Sequence, residues 1–309
     1  MRVIDIYNKR KKPVFSLEFF PPRNGETLDK IFSTIDELKI FAPGFASVTG
    51  GALGSQRGGT IAIVGSIKRK YNIEGVVHLT CVNKSKHDLE NLLMEIKYND
   101  IENVLALRGD PPRDSSASKD YLPDYKYAYQ LVKHINLMNN GEYLGESDGI
   151  SFKGEPAGFC VSVAAYPENH PESASAEENI THLKMKIDAG ADYVITQMFF
   201  DIEKFLRFRD LAAKRGVTIP IVPGLMPVEK YKQVNFLLKQ MGISIPSNFR
   251  QMLDSASDNP EKVKEICHNH DLNMARELIA AGVPGIHFFT MNRPEGTKRI
   301  LERITDGSS

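Results

Sequence analysis

Apolar and polar positions along this chain follow two periods. Short apolar runs of strand length stand at 14–20, 45–49, 75–80, 104–108, 158–165, 193–197, 219–222 and 285–289. Between them, apolar residues recur three and four apart, as at Leu28, Ile31, Ile35 and Leu38, the spacing that keeps one helix face apolar. This predicts helices over 27–40, with Thr27 as N-cap, and over 60–71, 85–98, 125–138, 174–189, 202–214 and 228–241. Two further helices are expected at about 260–270 and 272–281, and a last one from about 296.

Runs such as Val104–Leu107 are apolar without alternation, the mark of strands covered on both faces, as in a parallel sheet. Eight strands, each followed by helix, predict an α/β fold whose sheet closes as an eight-stranded parallel (β/α)8 barrel of the TIM type. Successive strand ends at Glu18, Thr49, Thr80 and Arg108 are 31, 31 and 28 residues apart, one strand–helix unit each. The steps from Arg108 to Ala165 (57) and from Pro223 to Phe289 (66) are longer and mark insertions. These are polar stretches at 113–124 and 139–156, and an extra helical pair after the seventh strand. A single TIM-barrel domain over 1–309 is the expected organisation. A doubly wound open sheet is the alternative; it differs in strand order, which the pattern alone does not fix.

Charge narrows the function classes. Lys plus Arg and Asp plus Glu are 39 each, so no basic excess points to nucleic acid or an anionic membrane surface. No apolar run reaches 18 residues, and the basic stretch 1–12 has no apolar segment of a signal peptide behind it. Cys81, Cys160 and Cys267 are scattered, with neither a disulfide framework nor metal-ligand spacing, and a cytoplasmic location is expected.

The candidate chemistry collects where strands end. The run Val104–Leu107 stops at Arg108-Gly109-Asp110 and two prolines that cannot continue a ladder. Glu18, Thr49, His78, Thr80, Tyr166, Gln197 and the Asn292-Arg293 pair stand at or just past other strand ends. In a barrel these converge on the carboxyl-end face, where ligands bind. One Glu, one Asp and several neutral hydrogen-bonding groups suit acid–base chemistry on a polar heterocycle. Other motifs fail on context. No Gly-x-Gly-x-x-Gly follows the first strand, and the glycines of 50–59 lack Walker spacing. Gly145-Glu-Ser-Asp-Gly149 matches a nucleophile elbow in letters, but no strand is expected to feed it. His268 and His270 are expected to be solvated, and His78 taken alone reads as a satisfied core histidine.

In order along the chain stand Ser16-Leu-Glu-Phe-Phe-Pro-Pro22, Ser47-Val-Thr49, His78-Leu-Thr-Cys81, Leu105-Ala-Leu-Arg-Gly-Asp110 and Ser162-Val-Ala-Ala-Tyr-Pro-Glu168 with His170-Pro171. Asp188-Ala-Gly-Ala191, Ile195-Thr-Gln197, Phe199-Phe-Asp201, Arg207-Phe-Arg209, Pro223-Gly224 and Asn292-Arg293 follow. In these pieces and their order the chain resembles the methylenetetrahydrofolate reductases from about residue 13 to 303. The resemblance implies a flavin-dependent TIM barrel that reduces methylenetetrahydrofolate to methyltetrahydrofolate for methionine synthesis, with FAD bound, NADH as donor and a homo-oligomeric state. Glu18 is similar to the general acid and Asp110 to the residue beneath the flavin that also meets the folate. Thr49, His78, Arg108, Gly109, Tyr166, His170 and Lys186, with Ala128 and Ser173, resemble FAD contacts. Gln197, Gln233 and Arg293 resemble substrate contacts, Gln197 serving both nicotinamide and folate.

Chemistry gives these residue types a reason. The folate ring must open before it takes hydride, which needs a proton at the leaving nitrogen. A carboxyl flanked by Leu17, Phe19 and Phe20 is the kind of group that desolvation keeps protonated. Arg108 matches pyrophosphate or ring-oxygen charge, and a negative Asp110 disfavours the anionic reduced flavin. Three positions depart from the family pattern: Gly50, where an aromatic is common, and Asn179 and His182, where the adenosine end is contacted. Two other readings are compatible with a barrel of this kind: a flavin-free folate or methyl-carrier protein, and a flavoprotein like proline dehydrogenase.

Overall fold

Strand β1 (Val14–Phe19) pairs in parallel with β2 (Phe45–Val48) on one side and with β10 (Gly285–Phe289) on the other, so the two ends of the sheet meet. The computed structural model describes residues 1–23, 25–50, 58–109, 124–145, 151–168 and 173–305. Around the ring, β2 is followed by β3 (Glu74–Thr80), β4 (Asn103–Leu107), β7 (Cys160–Ala165), β8 (Tyr193–Met198), β9 (Ile221–Leu225) and β10. Each neighbour is the next barrel strand in sequence and every pair is parallel. This is the expected closed eight-stranded barrel, and the sequential order rules out the doubly wound alternative.

Alternation along each strand sorts the two layers. On β1, Leu17 and Phe19 join Ile31, Ile35 and Leu38 of α2 (Asp29–Leu38) in the main core between sheet and helices. Ser16 and Glu18 face the barrel interior, where both meet His287 of β10. The helices between strands are α3 (Thr60–Tyr71), α4 (Lys86–Tyr98), α5 (Ala128–Asn139), α6 (Ala176–Asp188) and α7 (Ile202–Lys214), close to expectation. Thr27 is not the cap of α2: its hydroxyl donates to Asp29 Oδ2 at 2.6 Å, ahead of the helix.

The interior near the strand amino ends is apolar. Phe45, Val76, Leu105, Cys160, Tyr193, Ile195 and Val222 pack there with Val3 and Tyr7. Those last two belong to α1 (Val3–Lys9), a seven-residue helix that the sequence pattern did not predict. It is pinned by Asn103 at the start of β4, whose Oδ1 accepts from Val3 N at 2.7 Å. One end of the barrel is thereby plugged, and the polar interior lies towards the other.

The insertions also differ from expectation. Residues 139–156 contain an antiparallel hairpin, β5 (Glu142–Leu144) and β6 (Ser151–Lys153). A short strand therefore does feed Gly145; residues 146–149 of that motif lie outside the described residues, and the next described element is the strand β6. After β9 come α8 (Tyr231–Met241), the unpredicted α9 (Ser247–Ser255), and α10 (Pro260–Ala280) as one helix of 21 residues. The expected break before Leu272 does not occur, because Asp271 is buried and accepts the Val228 N–H at 3.1 Å from the loop after β9. His270, expected in solvent, stacks on Phe249 at 3.8 Å and contacts Phe200 O at 2.9 Å. The final helix is α11 (Glu295–Thr305). All three cysteines are free and buried. No helix among the described residues is long and apolar enough to cross a membrane, and none of their His, Cys, Asp and Glu side chains cluster as a metal site.

Candidate active site

With α1 closing the amino end, the polar residues of the carboxyl end define the site. Glu18 closes β1, Thr49 follows β2, and His78 lies near the end of β3. Arg108 and Gly109 follow β4, Tyr166 follows β7, Gln197 lies near the end of β8, and Arg293 comes four residues after β10. The ring order sorts them further. The residues that resemble FAD contacts stand on β2, β3, β4 and β7 and on the helices behind, with Ala128 opening α5 and Lys186 in α6. Those that resemble substrate contacts stand on β8 and after β10, with Gln233 in α8 behind β9. β1 lies between these arcs, hydrogen-bonded to both, and it carries Glu18.

Glu18 is 6% exposed, and its spatial neighbours are not its sequence neighbours. Leu17 and Phe19 point to the opposite face of the sheet, so the expected apolar flanks do not surround the carboxyl. Instead Oε2 lies 3.3 Å from His287 Nε2 and 3.5 Å from His78 Nε2. Ser16 Oγ holds His287 Nδ1 at 2.8 Å, and Ser47 Oγ reaches Nε2 of the same ring at 3.5 Å. The Glu18 backbone carbonyl accepts the Thr290 hydroxyl at 2.6 Å, tying β1 to the turn after β10. Burial pushes His78 down to about 4, with Glu18 opposing the shift and the neighbouring His287 adding to it. His78 is therefore neutral near pH 7, and its contact with Glu18 is polar, not an ion pair.

Sequence reasoning missed His287 and the role of Ser16. The signal was a polar residue inside an apolar strand, of inward parity, and it is visible only once β1 and β10 are known to pair, with Ser16 opposite His287. Asn292, read as part of the converging face, has another duty: its amide clasps the Phe20 backbone, accepting from N at 2.9 Å and donating to O at 2.8 Å.

The remaining residues divide as follows. Gly109 has φ +85, and a Cβ there would lie 2.6 Å from Val82 Cγ1, so only glycine lets the chain turn over the end of β3. Gln233 Oε1 accepts from Glu229 N at 3.2 Å, and Arg293 is exposed. Of the three departures, Gly50 sits where a Cβ would stand 3.1 Å from His78 O. Asn179 is buried and donates to Tyr166 O at 2.7 Å, holding the loop after β7, and His182 is exposed. Asp110 and His170 lie outside the described residues, and Ser173 is half-buried ahead of α6.

Two features fit a bound dinucleotide. Thr49 Oγ1 is buried at the rim with no hydrogen-bond partner among the described residues, and the buried His78 Nε2 has only its 3.5 Å contact with Glu18 Oε2, which does not form a hydrogen bond. Buried polar atoms of this kind are normally satisfied, so a ligand belongs there. Lys186 reaches from α6 to donate to Ala164 O at 2.8 Å. Burial of its ammonium, reinforced by the like charge of Arg108, pushes it down to about 8. Two cations at neighbouring strand ends suit a pyrophosphate.

Residues 3–305 match the family model described as methylenetetrahydrofolate reductase. The chain belongs to the methylenetetrahydrofolate reductase family. It is 36% identical over 289 residues to the 5,10-methylenetetrahydrofolate reductase of Escherichia coli, covering 94% of this chain and 90% of that protein. Methylenetetrahydrofolate reductase 1 of Schizosaccharomyces pombe is 34% identical over 96% of this chain. A rice protein named probable methylenetetrahydrofolate reductase (NADH) is 34% identical over 95% of it. The chain spans about half the length of these two relatives, 46% and 48%. Among solved structures, an uncharacterized Clostridium thermocellum protein described as binding two copies of 5-methyl-5,6,7,8-tetrahydrofolic acid superposes with a TM-score of 0.62. It covers 98% of both chains at 14% identity, which is a likeness of fold.

Proposed function

We propose that this protein reduces methylenetetrahydrofolate to methyltetrahydrofolate, with FAD as its cofactor and NADH as its donor, in two half-reactions at one site. The observation that carries this reading is the buried carboxyl of Glu18 on the strand between the two arcs of contacts, in a chain of this family. FAD, when bound, supplies a carrier that takes hydride from the nicotinamide and gives it to the folate.

The chain's own residues then have distinct work. Arg108 and Lys186 hold the pyrophosphate, and Thr49 and His78 meet the dinucleotide with their unpartnered polar atoms. By the family resemblance, Asp110 would supply a negative charge near the flavin and a contact to the folate. Glu18 delivers its proton to the leaving nitrogen of the folate ring. His287, fixed by Ser16, holds the carboxyl in place. Gln197, Gln233 and Arg293 orient the substrate from the opposite arc, Gln197 serving nicotinamide and folate in turn. NADH as donor is supported by the name of the rice relative. Self-association belongs to the same reading and is checked by sedimentation.

Anaerobic stopped-flow on the purified protein tests this. The expected result is a yellow protein whose flavin band is bleached by NADH and restored by methylenetetrahydrofolate. A colourless protein that binds folate would favour the flavin-free carrier, and oxidation of proline the other flavoprotein reading; family membership weighs against both. A bleaching rate with NADPH at least equal to that with NADH would overturn the donor assignment.

A further inference from the structure

Strands β8 and β9 fall out of step beside the site. Val194 pairs with Ile221 and Ile195 with Val222, but the next pair is Met198 with Gly224. β8 thus advances three residues where β9 advances two, so Thr196 and Gln197 together oppose Pro223. Bulges beside sites re-aim a side chain.

One buried hydroxyl closes the gap. Thr196 is 1% exposed; its Oγ1 accepts from Gly224 N at 3.0 Å and donates to Gln197 O at 2.9 Å. Gly224 makes the close approach possible, since a Cβ there would collide with Thr196 O and lie 2.5 Å from the Phe289 ring. The bulge in turn fixes the Gln197 amide. Met198 N donates to Gln197 Oε1 at 2.9 Å, and a backbone N–H can only face the oxygen. The amide nitrogen, with its two donors, has no partner among the described residues, so it is the end that a ligand meets.

We propose that Thr196 is a positioning residue for the reaction. Its hydroxyl locks the β8 bulge, and through it Gln197, so that the Gln197 amide presents N–H donors to carbonyl-bearing rings: the carboxamide of the nicotinamide, then the oxo group of the pterin. The proposal rests on Gln197 being the shared contact of the reading above.

The test compares Thr196→Val, which keeps shape but removes the hydroxyl, with Thr196→Ser, which keeps it, each with wild-type Gln197 and with Gln197→Ala. Thr196→Val should raise KM for NADH and for methylenetetrahydrofolate about tenfold each, with a smaller change in kcat. Thr196→Ser should stay within about twofold of wild type. In the Gln197→Ala background, Thr196→Val should add nothing, because its effect passes through that side chain. Flavin content and thermal midpoint are measured for every variant. If Thr196→Val does not fold, Thr196→Cys keeps the volume with a weak hydrogen-bonding group, and the same outcomes apply to it. Unchanged KM values, failure of serine to rescue, or an equal effect in both backgrounds would overturn the assignment of Thr196. A wild-type protein that turns over neither ligand would overturn the reading of the site itself, and the proposal with it.

Discussion

Glu18 Oε2 and His287 Nε2 are 3.3 Å apart inside the barrel, although 269 residues separate them in the chain. The contact exists because β1 and β10 close the sheet in a register that sets Ser16 opposite His287. Ser16 takes the other ring nitrogen, so the imidazole is held on both sides and keeps the carboxyl from swinging away from the open end.

Glu18→Gln should separate the two half-reactions. Hydride transfer from NADH to flavin needs no proton from this residue and should run near the wild-type rate. Folate reduction should fall by about 10²–10⁴, the usual size of general acid catalysis. Stopped-flow measurement of each half-reaction checks this. A residue that only props up the barrel would damage both together and release flavin, and folate reduction within a few-fold of wild type would remove Glu18 from the mechanism.

Lys186→Met should weaken FAD binding about tenfold or more at pH 7, the scale of a hydrogen bond to a charged group. The wild-type protein should also bind FAD less tightly as pH rises through about 8, where free Lys186 gives up its proton, and hold it evenly below that. Fluorescence titrations of apoprotein with FAD between pH 6.5 and 9.5, at about unit steps, read both effects. A wild-type pH dependence that persists unchanged in Lys186→Met would show that another group controls it.

Stability should fall in acid in a defined window. Burial lowers both His78 and His270 to about 4, against 6.5 in the unfolded chain. Between those values the unfolded chain binds protons that the folded one refuses. The stability contribution is therefore complete above about pH 6.5 and is lost progressively as pH falls towards 4, at no more than about 1.4 kcal/mol per pH unit for each group. Replacing either histidine by asparagine should reduce the pH slope of the unfolding free energy by about one proton in this window. Urea unfolding from pH 4.5 to 7.5, at about half-unit steps, measures it; identical slopes in variant and parent would rule it out.

Gly224→Ala should be far more destabilising than Gly216→Ala. Gly216 has φ +78 but open space around a Cβ, so alanine meets only the left-handed strain of about 1–2 kcal/mol. At Gly224 a Cβ meets the Thr196 carbonyl and the Phe289 ring, and the backbone of a central strand has to move. A cost of about 3 kcal/mol or more follows from overpacking of this kind. Chemical denaturation of the two variants gives the ranking, and equal midpoints would show that β9 yields locally.

The sequence by itself determined the alternation of strand and helix and the address of the site, while the strand order that closes the sheet came only from the tertiary structure. Continuous apolar runs such as Val104–Leu107, short and ended by Gly and Pro, read as strands covered on both faces, and apolar residues three and four apart marked the helices between them. Helices α3 and α7 begin and end where the apolar period does. Polar residues that interrupt or end apolar strands, Glu18, His78 and Gln197 among them, were legible because a parallel barrel gathers strand ends on one face. What the tertiary structure decided was every relation between distant strands. The pairing of β1 with β10 made His287 and Ser16 partners of the carboxyl, and alternation turned Leu17 and Phe19 away from it. The plug α1 is too short to carry a helical period, and Asp271 reads as a surface acid until Val228 donates to it. Periodicity records only which face of an element is dry; which element covers that face, and in what register, is settled by closure of the sheet and by buried hydrogen bonds between residues far apart in the chain.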